Sequence, residues 1–418
     1  MRILVVTPYY LPDGGPSAPL FAMLCEQLVR RGHDVSVVAG VPHYPSGRVP
    51  PPYRGVHVKR ETRGGVQVLR VPVPSLDRAR LSLRLLQFLS FQLGATWAGW
   101  QCEYDVLLVT NPALHAGLPF ASLGPWRRKP AIFSVHDVYP DAGVDLGVFR
   151  HRAVIAAIAG LERYCLKRAA SVRILSESFA APLEKLGAPP SRLTLIYDWV
   201  DTGLIHPLPR NNAFSREHGL DGRYVVLYAG NIGLSQGLEH VLTAAGSLIS
   251  EDEIRFVFVG DGASLQHLRA QAGQAGLSNV TFLPFQPRER LPEVLASADV
   301  SLVSLQRSAA VRSLPSKTFS ILASGRPLVA SLDEGSDSWN LIQRAHAGLC
   351  VPPESPALLA EAILTLKGDA ALAERMGRCG RDYAVRHHSP EAAAARFEEL
   401  LLAVLERRAP AAERRSAG

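Results

Sequence analysis

Short apolar runs recur along the chain at intervals that leave room for one helix between them, and this rhythm constrains the fold most strongly. The opening sets the pattern, with a predicted strand at 2–7, a helix at about 18–31 and a second strand at 34–39. Runs that are apolar throughout, rather than alternating, are typical of parallel strands covered on both faces. The further predicted strands lie at 106–110, 131–135, 171–175, 193–197, 224–230, 254–259, 280–283, 300–304 and 328–330.

A polar, irregular stretch at about 201–223 interrupts this rhythm and divides the chain into two halves. A length of 418 residues also exceeds what one ordinary hydrophobic core accommodates. The sequence therefore predicts an α/β fold with two doubly wound, Rossmann-like domains, at 1–200 and 201–385. A last amphipathic helix at about 386–407 is expected to pack back on the first domain, and 408–418 to form a flexible tail.

Composition places the chain in a reducing compartment, and we expect it to be cytoplasmic. It is 47% hydrophobic and 20% charged, which is ordinary for a globular protein. The apolar stretch after Met1 is too short for a signal peptide, and no run of about 18 apolar residues predicts a membrane-spanning helix. An odd number of widely spaced cysteines argues against a disulfide framework or a zinc site. They are Cys25, Cys102, Cys165, Cys350 and Cys379.

The excess of positive charge is confined to the first half of the chain. Residues 1–200 hold 23 Lys and Arg against 14 Asp and Glu, whereas the remainder holds 22 against 24. One interpretation is an arginine-rich surface that is simply solvated. The other is attraction to an anionic membrane or to a phosphate-bearing acceptor. Nucleic acid is not expected as a partner, because the arginines are not interleaved with an aromatic platform.

Two segments of the first half stand out. Residues 42–63 are rich in Pro, Gly, His and Tyr and are predicted to form a long irregular loop. Residues 81–100 predict a helix that is apolar around most of its circumference. This helix is either a core helix or an in-plane membrane contact supported by Trp97 and Trp100, with Arg78 and Arg80 nearby.

Doubly wound sheets bind ligands at the carboxyl ends of their strands, and two loops of the first half occupy that position. Gly14 and Gly15 follow the first strand, where glycine lets backbone amides approach a ligand near a helix N-terminus. The loop does not match G-x-G-x-x-G, which counts against a nicotinamide or flavin site. His136 and Asp137 directly follow the strand at 131–135, a position suited to acid–base chemistry. The alternative is a structural histidine beside a capping aspartate.

Two loops of the second half occupy the same position in their own sheet. Small residues after the strand at 224–230 would let backbone amides point at phosphate. A glycine–aspartate–glycine turn follows the strand at 254–259, and its aspartate either caps the next helix or lines a site. The candidate binding residues in these loops are Gly230, Asn231, Gly233, Asp261 and Gly262.

The sequence LPSK at 314–317 is the clearest physical indication of a ligand. Ser316 is a favourable N-cap, so Lys317 would lie in the first turn of a short helix that ends at Gly325. A lysine there opposes the helix dipole, unless an anion such as a diphosphate binds beside it. The alternative is a solvent-exposed lysine.

Taken together, these segments resemble the retaining family 4 glycosyltransferases of the GT-B fold. Within that family the chain is similar to bacterial enzymes that build O-antigen, capsule and colanic-acid-type polysaccharides, including N-acetyl-L-fucosamine transferases. The resemblance covers nearly the whole chain and implies two Rossmann-like domains facing across a cleft. It is carried by ILVVTPYYLPDGGPSA, SVHDVYPD, VLYAGNIGLSQGLE, FVGDG, FLPFQPRERLPEVLASADVSLV and LPSKTFSILASGRPLVA.

The resemblance also implies a role for each loop. The loop at Gly14 and Gly15 would lie by the donor diphosphate or the transferring sugar, and His136 would touch that sugar near its reactive carbon. The loop at 230–233 and Lys317 would hold the diphosphate. The segments 260–262 and 284–286, with Phe285 in the second, would border the base and the ribose.

The chain departs from the wider family at the positions of two glutamates spaced eight residues apart. Arg312 and Ser320 stand there, so the residue that contacts the ribose is unassigned. Asn231 and Gln236 replace the usual basic pair after the glycine of the second domain. Lys317, with Arg312 or Arg307, must then supply the positive charge.

The expected chemistry needs no metal and no cofactor, because amides, a helix dipole and Lys317 can stabilise a departing nucleoside diphosphate. No D-x-D arrangement suggests a metal site. The resemblance implies a nucleotide-sugar donor, UDP in particular, and a polyprenyl-diphosphate-linked sugar as acceptor. Two alternatives remain open: a sugar-nucleotide epimerase of the same architecture, and a non-catalytic sugar-binding protein.

Overall fold

The computed structural model describes residues 1–407 except 16, 45, 56, 75, 77–80, 140–151 and 308–313. The chain forms two compact units. The first runs from Met1 to Asp198 and includes the chain again from Ala393 onward, and the second is Trp199–Ala392. The predicted boundaries were 200 and 385. The predicted flexible tail at 408–418 lies outside the described residues, as do Arg78, Arg80 and Arg312.

The first unit is built on an eight-stranded sheet with the order β3-β4-β2-β1-β5-β6-β7-β8. Neighbouring strands are parallel except β3 and β4, which are antiparallel. The strands are β1 (Arg2–Val6), β2 (Asp34–Gly40), β3 (Lys59–Arg63), β4 (Val66–Val71), β5 (Val106–Thr110), β6 (Ala131–Val135), β7 (Ser171–Ile174) and β8 (Leu193–Leu195).

Helices connect these strands. They are α1 (Ala18–Arg30), α2 (Leu81–Trp100), α3 (Ala113–Ala121), α4 (Arg152–Arg168) and α5 (Ala180–Lys185). The central strands β5 and β6 are buried along their whole length, as continuous apolar runs require in a sheet covered on both faces. The predicted helix at 81–100 is confirmed as α2.

The prediction of an irregular loop over 42–63 is wrong at its C-terminal end. Residues 59–63 form β3, which pairs with β4 in the register Lys59↔Arg70 to Arg63↔Val66. The strand is composed of charged and polar residues because it lies at the edge of the sheet, where one side faces solvent. A pattern search for apolar runs therefore passes over it. A short 3₁₀ turn, Pro51–Tyr53, lies in the same segment.

The second unit contains a parallel six-stranded sheet with the order β11-β10-β9-β12-β13-β14. Its strands are β9 (Tyr224–Ala229), β10 (Ile254–Val259), β11 (Val280–Leu283), β12 (Val300–Ser304), β13 (Leu328–Ser331) and β14 (Gly348–Val351). Its helices are α6 (Ala213–Glu217), α7 (Leu238–Ser247), α8 (Leu265–Gln274), α9 (Leu291–Ala296), α10 (Lys317–Ser324), α11 (Asp337–Ala345), α12 (Pro356–Gly368) and α13 (Ala370–His388).

The last helix, α14 (Pro390–Glu406), leads the chain back into the first unit. Phe397 is fully buried there, under the guanidinium of Arg173 at 5.8 Å from the ring centroid. Glu398 accepts hydrogen bonds from Arg31 and contacts His33. The helix is thus held by one aromatic anchor and one cluster of charges.

A buried carboxyl group from α4 caps the N-terminus of α3. The residue before that helix, Pro112, makes no side-chain cap, and the Ala113 amide instead donates to Glu162 Oε1 at 2.7 Å. Burial raises the pKa of Glu162 to about 8, although the amide hydrogen bond opposes the shift. Between pH 4.5 and 8 the folded protein therefore keeps a proton on Glu162, whereas the unfolded chain releases it above the ordinary pKa of 4.5.

This proton makes stability depend on pH. Because folding raises the pKa of this acid, its contribution to the free energy of unfolding is complete below pH 4.5 and is lost as the pH rises through 8. We expect Glu162→Gln, which keeps an acceptor oxygen, to remove that dependence. Between pH 5 and 8 the free energy of unfolding of the wild type should fall by about 1–3 kcal/mol more than that of the variant. Urea unfolding at both pH values measures this, with the exposed Glu184→Gln as control, and parallel curves would contradict the assignment.

Candidate active site

The loops after β9 and β10 contact each other backbone to backbone in the second unit. Gly230 donates to the Val259 carbonyl at 2.9 Å, and Ile232 donates to the Asp261 carbonyl at 2.8 Å. A Cβ at Gly260 would lie 1.9 Å from the Gly230 oxygen, and φ there is +155°. Only glycine fits this crossing, because any side chain would push the two loops apart.

Gly262 is restricted in the same way, because a Cβ there would lie 2.3 Å from the backbone oxygen of Ile232. A Cβ at Gly233 would lie 2.6 Å from the side-chain Nδ2 of Asn231, which would have to move. The predicted residues of both loops are therefore brought together at the carboxyl ends of β9 and β10. This edge of the sheet is where doubly wound folds bind ligands.

Lys317 lies at the start of α10 and reaches these loops. Its Nζ lies 3.7 Å from the Tyr228 ring centroid, donates to the Tyr228 hydroxyl, and is 3.4 Å from Gln236 Oε1. A Cβ at Gly230 would be 3.3 Å from the same nitrogen. Lys317 therefore ties α10 to the end of β9.

The partners of this ammonium group, in the part of the chain that the structure describes, are neutral oxygens and an aromatic ring. Burial without a carboxylate lowers the pKa of Lys317 to about 7. A buried cation that lacks a neutralising partner favours an incoming anion, since binding restores the charge balance that burial removed. The predicted alternative of a solvent-exposed lysine does not fit this environment.

Ser316 directly precedes α10 and Lys317 is the first residue of this helix, as predicted, but the serine does not cap it. Ser316 has helical backbone angles, its side chain makes no capping hydrogen bond, and the residue is exposed. The end of the helix is as predicted, because Gly325 adopts the left-handed conformation with φ of +70°. Ser320 lies one helical turn after Ser316 and is half-buried.

Asp261 does not cap the following helix either. Its carboxylate accepts from the amide of Gly262 at 2.8 Å, and α8 begins four residues later, at Leu265. The side chain of Asp261 is exposed at the strand end. Phe285 is 71% exposed on the loop after β11. Both residues lie at carboxyl ends of strands, and their contacts with a ligand stay predictions.

Gln236, one of the two neutral residues that replace the usual basic pair, lies beside Lys317. Gln236 Oε1 lies 3.2 Å from the Tyr228 hydroxyl as well as near Nζ, so a lysine at this position would repel Lys317. The Arg307 guanidinium pairs with Glu354 at 3.4 Å, and its predicted contribution to the positive charge of the site stays a prediction.

In the first unit, a buried aspartate orders the glycine loop after β1. Asp13 is 1% exposed, accepts from the Gly15 amide at 2.8 Å and accepts from the His43 amide at 2.8 Å. A Cβ at Gly15 would lie 2.4 Å from Tyr9 Cγ, whereas Gly14 is exposed. Sequence reasoning missed Asp13 and His43. The available signal was an aspartate directly before two glycines, a turn-forming arrangement.

The loop after β6 is held by Asn111. The Asn111 side chain accepts from the His136 amide at 2.7 Å and donates to the Asp137 carbonyl at 2.5 Å. The imidazole lies 3.3 Å from the Ser134 hydroxyl and packs edge-on against Phe21. Burial lowers the pKa of His136 to about 4, so the imidazole is neutral near pH 7.

Asp137 lies next to His136 with its side chain exposed. No group of three or more His, Cys, Asp or Glu residues within the described ranges could hold a metal ion. The site residues thus form two sets, one in each unit. The first holds the neutral imidazole of His136 and the glycine loop ordered by Asp13, and the second holds the Lys317 ammonium, whose partners in the described chain are uncharged. The second set suits an anionic ligand.

Two Rossmann-like units with candidate ligand loops at their strand ends are the architecture of the GT-B fold. Family models match both halves of the chain. Residues 15–199 match the glycosyl transferase 4-like domain, and residues 211–383 match the glycosyl transferases group 1. The chain belongs to this glycosyltransferase family and is an enzyme that transfers glycosyl groups.

Relatives agree with this membership. The chain is 28% identical over 396 residues to the colanic acid biosynthesis glycosyl transferase WcaI of Escherichia coli K12, covering 92% of this chain and 96% of that protein. It is 26% identical to the glycosyltransferase WbjE of Pseudomonas aeruginosa, over 62% of each chain. The fold is similar to that of Anabaena HepE solved with UDP, with a TM-score of 0.70 at 16% identity, covering 96% of this chain and all of that one.

The backbone crossing of the two loops can be tested with a matched pair of glycine substitutions. Gly260→Ala places a methyl group on the Gly230 oxygen, so we expect loss of several kcal/mol of stability or of the folded second unit. Gly273→Ala in α8 meets nothing within 4 Å and should be neutral or stabilise by up to about 1 kcal/mol. Thermal unfolding compares them, and equal midpoints would contradict the crossing.

Proposed function

We propose that the enzyme transfers a sugar from a nucleoside diphosphate, UDP in particular, to a lipid-linked saccharide during surface-polysaccharide biosynthesis. The observation that carries the donor half of this proposal is the buried ammonium of Lys317. It has neutral partners, lies against Gly230, and starts a helix whose dipole also favours an anion. A diphosphate supplies the negative charge that this site lacks.

The diphosphate is also the group that needs help during transfer. Negative charge develops on it as the bond to the sugar breaks, and a preorganised cation with oriented amides stabilises that charge. The loops after β9 and β10 provide the amides, and glycine lets the diphosphate approach them closely. Asn231 and Gly233 belong to this contact surface, with Ser316 and Ser320 on the neighbouring helix.

Recognition of the base is assigned to the loop after β11. The exposed ring of Phe285 offers an apolar face beside the strand ends, and Asp261 and Gly262 border the same edge. UDP is favoured because it is the nucleotide in the solved structure of HepE. For the sugar we propose an N-acetylated or deoxy hexose, on the resemblance to N-acetyl-L-fucosamine transferases.

We propose transfer with retention. The neutral imidazole of His136 would contact the transferring sugar without adding a positive charge near the developing oxocarbenium ion. The acceptor hydroxyl would attack on the face that the diphosphate leaves, and its proton would pass to the leaving phosphate. Asp137 and the loop at Gly14 and Gly15 would border the sugar. The anomeric configuration of the product, read by proton NMR, distinguishes retention from inversion.

The lowered pKa of Lys317 gives a specific test of the donor site. UDP should bind to the charged form, so its affinity should be full below pH 7 and fall by up to about tenfold per unit above it. Lys317→Arg should keep much of the affinity and flatten the dependence, because arginine stays charged. Calorimetric titration of UDP at pH 7, 8 and 9 measures this. A wild-type affinity that is flat across this range, or full affinity in Lys317→Ala, would contradict the assignment.

The acceptor half of the proposal begins with the relatives. WcaI is named for colanic acid biosynthesis. On the resemblance to enzymes that build such polysaccharides, we propose a polyprenyl-diphosphate-linked sugar as the acceptor, at the cytoplasmic face of a membrane. No helix within the described residues is long and apolar enough to cross a membrane. Contact with the carrier would then use a surface of the protein.

Helix α2 supplies such a surface. Its inner side is core, with Phe91, Ala95 and Ala98 buried, while its outer side carries a row of exposed apolar residues. The two predicted alternatives for this helix therefore describe its two faces. We name the outer row the α2 stripe: Leu86, Leu89, Leu93, Trp97 and Trp100, each between 49% and 60% exposed.

Charge at one end of the α2 stripe favours an anionic bilayer as its partner. The Arg127 guanidinium lies 4.8 Å from the Trp100 ring, and Arg128 and Lys129 follow it. Trp126, beside them in the chain, is 68% exposed. Apolar residues at helical spacing, bordered by tryptophan and basic side chains, are the features of helices that lie in a membrane interface.

A flotation assay with phosphatidylglycerol vesicles tests the α2 stripe. We expect the wild type to float with the vesicles at low salt, and the Leu93→Gln/Trp97→Gln double variant to partition at least about tenfold less. Leu402→Gln removes an exposed leucine from α14 of the same unit and should leave partitioning unchanged. Equal flotation of all three proteins, or none by the wild type, would refute the membrane contact.

A further inference from the structure

The Tyr228 hydroxyl lies where the Lys317 ammonium meets the loop after β9. Tyr228 is fully buried near the end of that strand. Its hydroxyl accepts a hydrogen bond from Lys317 and donates one to the Asn231 carbonyl at 2.6 Å. We infer that Tyr228 is a positioning residue of the diphosphate site, whose one hydroxyl holds both the cation and the loop in place for a phosphate, an inference that rests on the proposed function.

The hydrogen bonds of this hydroxyl have a fixed direction while Lys317 is charged. A carbonyl can only accept, so the single hydroxyl proton goes to Asn231. An ammonium can only donate, so Lys317 donates to the hydroxyl oxygen. Burial raises the pKa of Tyr228, and the hydroxyl therefore keeps its proton over the range in which Lys317 titrates.

The ammonium keeps one proton for a ligand. Of its three donors, one goes to the Tyr228 hydroxyl and one to Gln236 Oε1 at 3.4 Å, and the described residues offer no third acceptor. Within the same part of the chain, Tyr228 is also the only titratable side chain in contact with Lys317. A variant without the hydroxyl would leave the long contact with Gln236 as the remaining hydrogen bond of the cation.

The same hydroxyl fixes the peptide bond between Asn231 and Ile232. Tyr228 holds the carbonyl of this peptide, and its N–H donates to the Asp261 carbonyl at 2.8 Å. Because a peptide unit is planar, a partner on each side prevents it from rotating. The flanking amides, those of Asn231 and Gly233, donate to no acceptor among the described residues. Two unused amides beside a fixed peptide keep the set orientation that an anion site requires.

The charge of Lys317 and the shape of the loop are linked through this hydroxyl. A neutral amine carries a lone pair and can accept, so on losing its proton Lys317 competes with the Asn231 carbonyl for the proton of Tyr228. When the amine takes that proton, the carbonyl loses its partner and the peptide is released. The site then loses its cation and its ordered amides together, and both losses disfavour an anion.

Titration of Lys317 in the full chain without any ligand tests the contact. The Cε resonance of carbon-13-labelled lysine reports the charge, and the Lys317→Arg spectrum identifies it. Tyr228→Phe keeps the ring and removes only the hydroxyl, so we expect it to move the midpoint of the titration down by about one pH unit. Tyr224→Phe is the control and should titrate like the wild type. Its hydroxyl, at the start of the same strand, is buried without a hydrogen-bond partner in the described chain.

Calorimetric titration of UDP measures what the hydroxyl contributes to the site. A lower Lys317 midpoint leaves a smaller charged fraction at alkaline pH, so Tyr228→Phe should fall further behind the wild type as the pH rises. Between pH 6 and pH 8 we expect the ratio of the two dissociation constants to grow by about fivefold. A merely structural role of Tyr228 would weaken UDP binding by the same factor at both pH values, and Tyr224→Phe should match the wild type at both.

Two outcomes would overturn the inference: a Lys317 midpoint that is the same in Tyr228→Phe and the wild type, and a ratio of UDP dissociation constants that does not change with pH. If the wild type binds no UDP while Tyr228→Phe still lowers the midpoint, the proposed function is rejected and Tyr228 keeps its role toward the cation. If Tyr228→Phe does not fold, the wild type decides. Nuclear Overhauser contacts between the Lys317 ε-methylene and the Tyr228 ring support the inference, and their absence overturns it.

Discussion

The buried charge of Lys317 is the constraint on which the second unit's binding edge depends. Its ammonium lies over the Tyr228 ring and beside Gly230, with neutral oxygens as its partners in the described chain. A basic side chain at position 236 would repel it, and Gln236 there accepts instead. The position of this cation explains why residue 236 carries an amide rather than a basic side chain, and why an anion is the expected ligand.

The first unit contributes a different kind of surface. Its polar groups are neutral or internally bonded: Asp13 is satisfied by backbone amides, and His136 is uncharged near pH 7. Such groups suit sugar hydroxyls better than phosphates. Helix α2 adds a second property, because its inner side packs into the core and its outer side exposes the α2 stripe. The two units thus differ in where charge is buried and in where apolar surface is left exposed.

Much of the fold could be predicted from the sequence because parallel strands covered on both faces are continuous apolar runs. Strands β5, β6, β10, β11 and β12 have the predicted bounds. The charged edge strand β3 could not be found this way, since its stability comes from pairing with β4 rather than from its own apolarity.

The candidate positions that could be predicted are those where a chemical type coincides with a strand end or a helix start: Gly230 and His136 follow strands, and Lys317 begins α10. Contacts between residues distant in sequence were inaccessible. Asp13 and His43 are 30 positions apart, and Glu162 reaches Ala113 across 49. Residue type also did not decide whether Ser316 caps α10. Serine is a favourable N-cap, but the backbone of Ser316 is helical, and capping needs an extended conformation.

The central claim is that the second unit holds the nucleoside diphosphate, and amide hydrogen exchange with and without UDP tests it most directly. UDP should slow exchange in the segments 229–237, 260–262 and 314–320, and leave the segments 9–15 and 136–139 nearly unchanged until a sugar is attached. Lys317→Ala should abolish the protection at equal UDP concentration. Protection confined to the first unit, or equal protection in Lys317→Ala, would contradict the account.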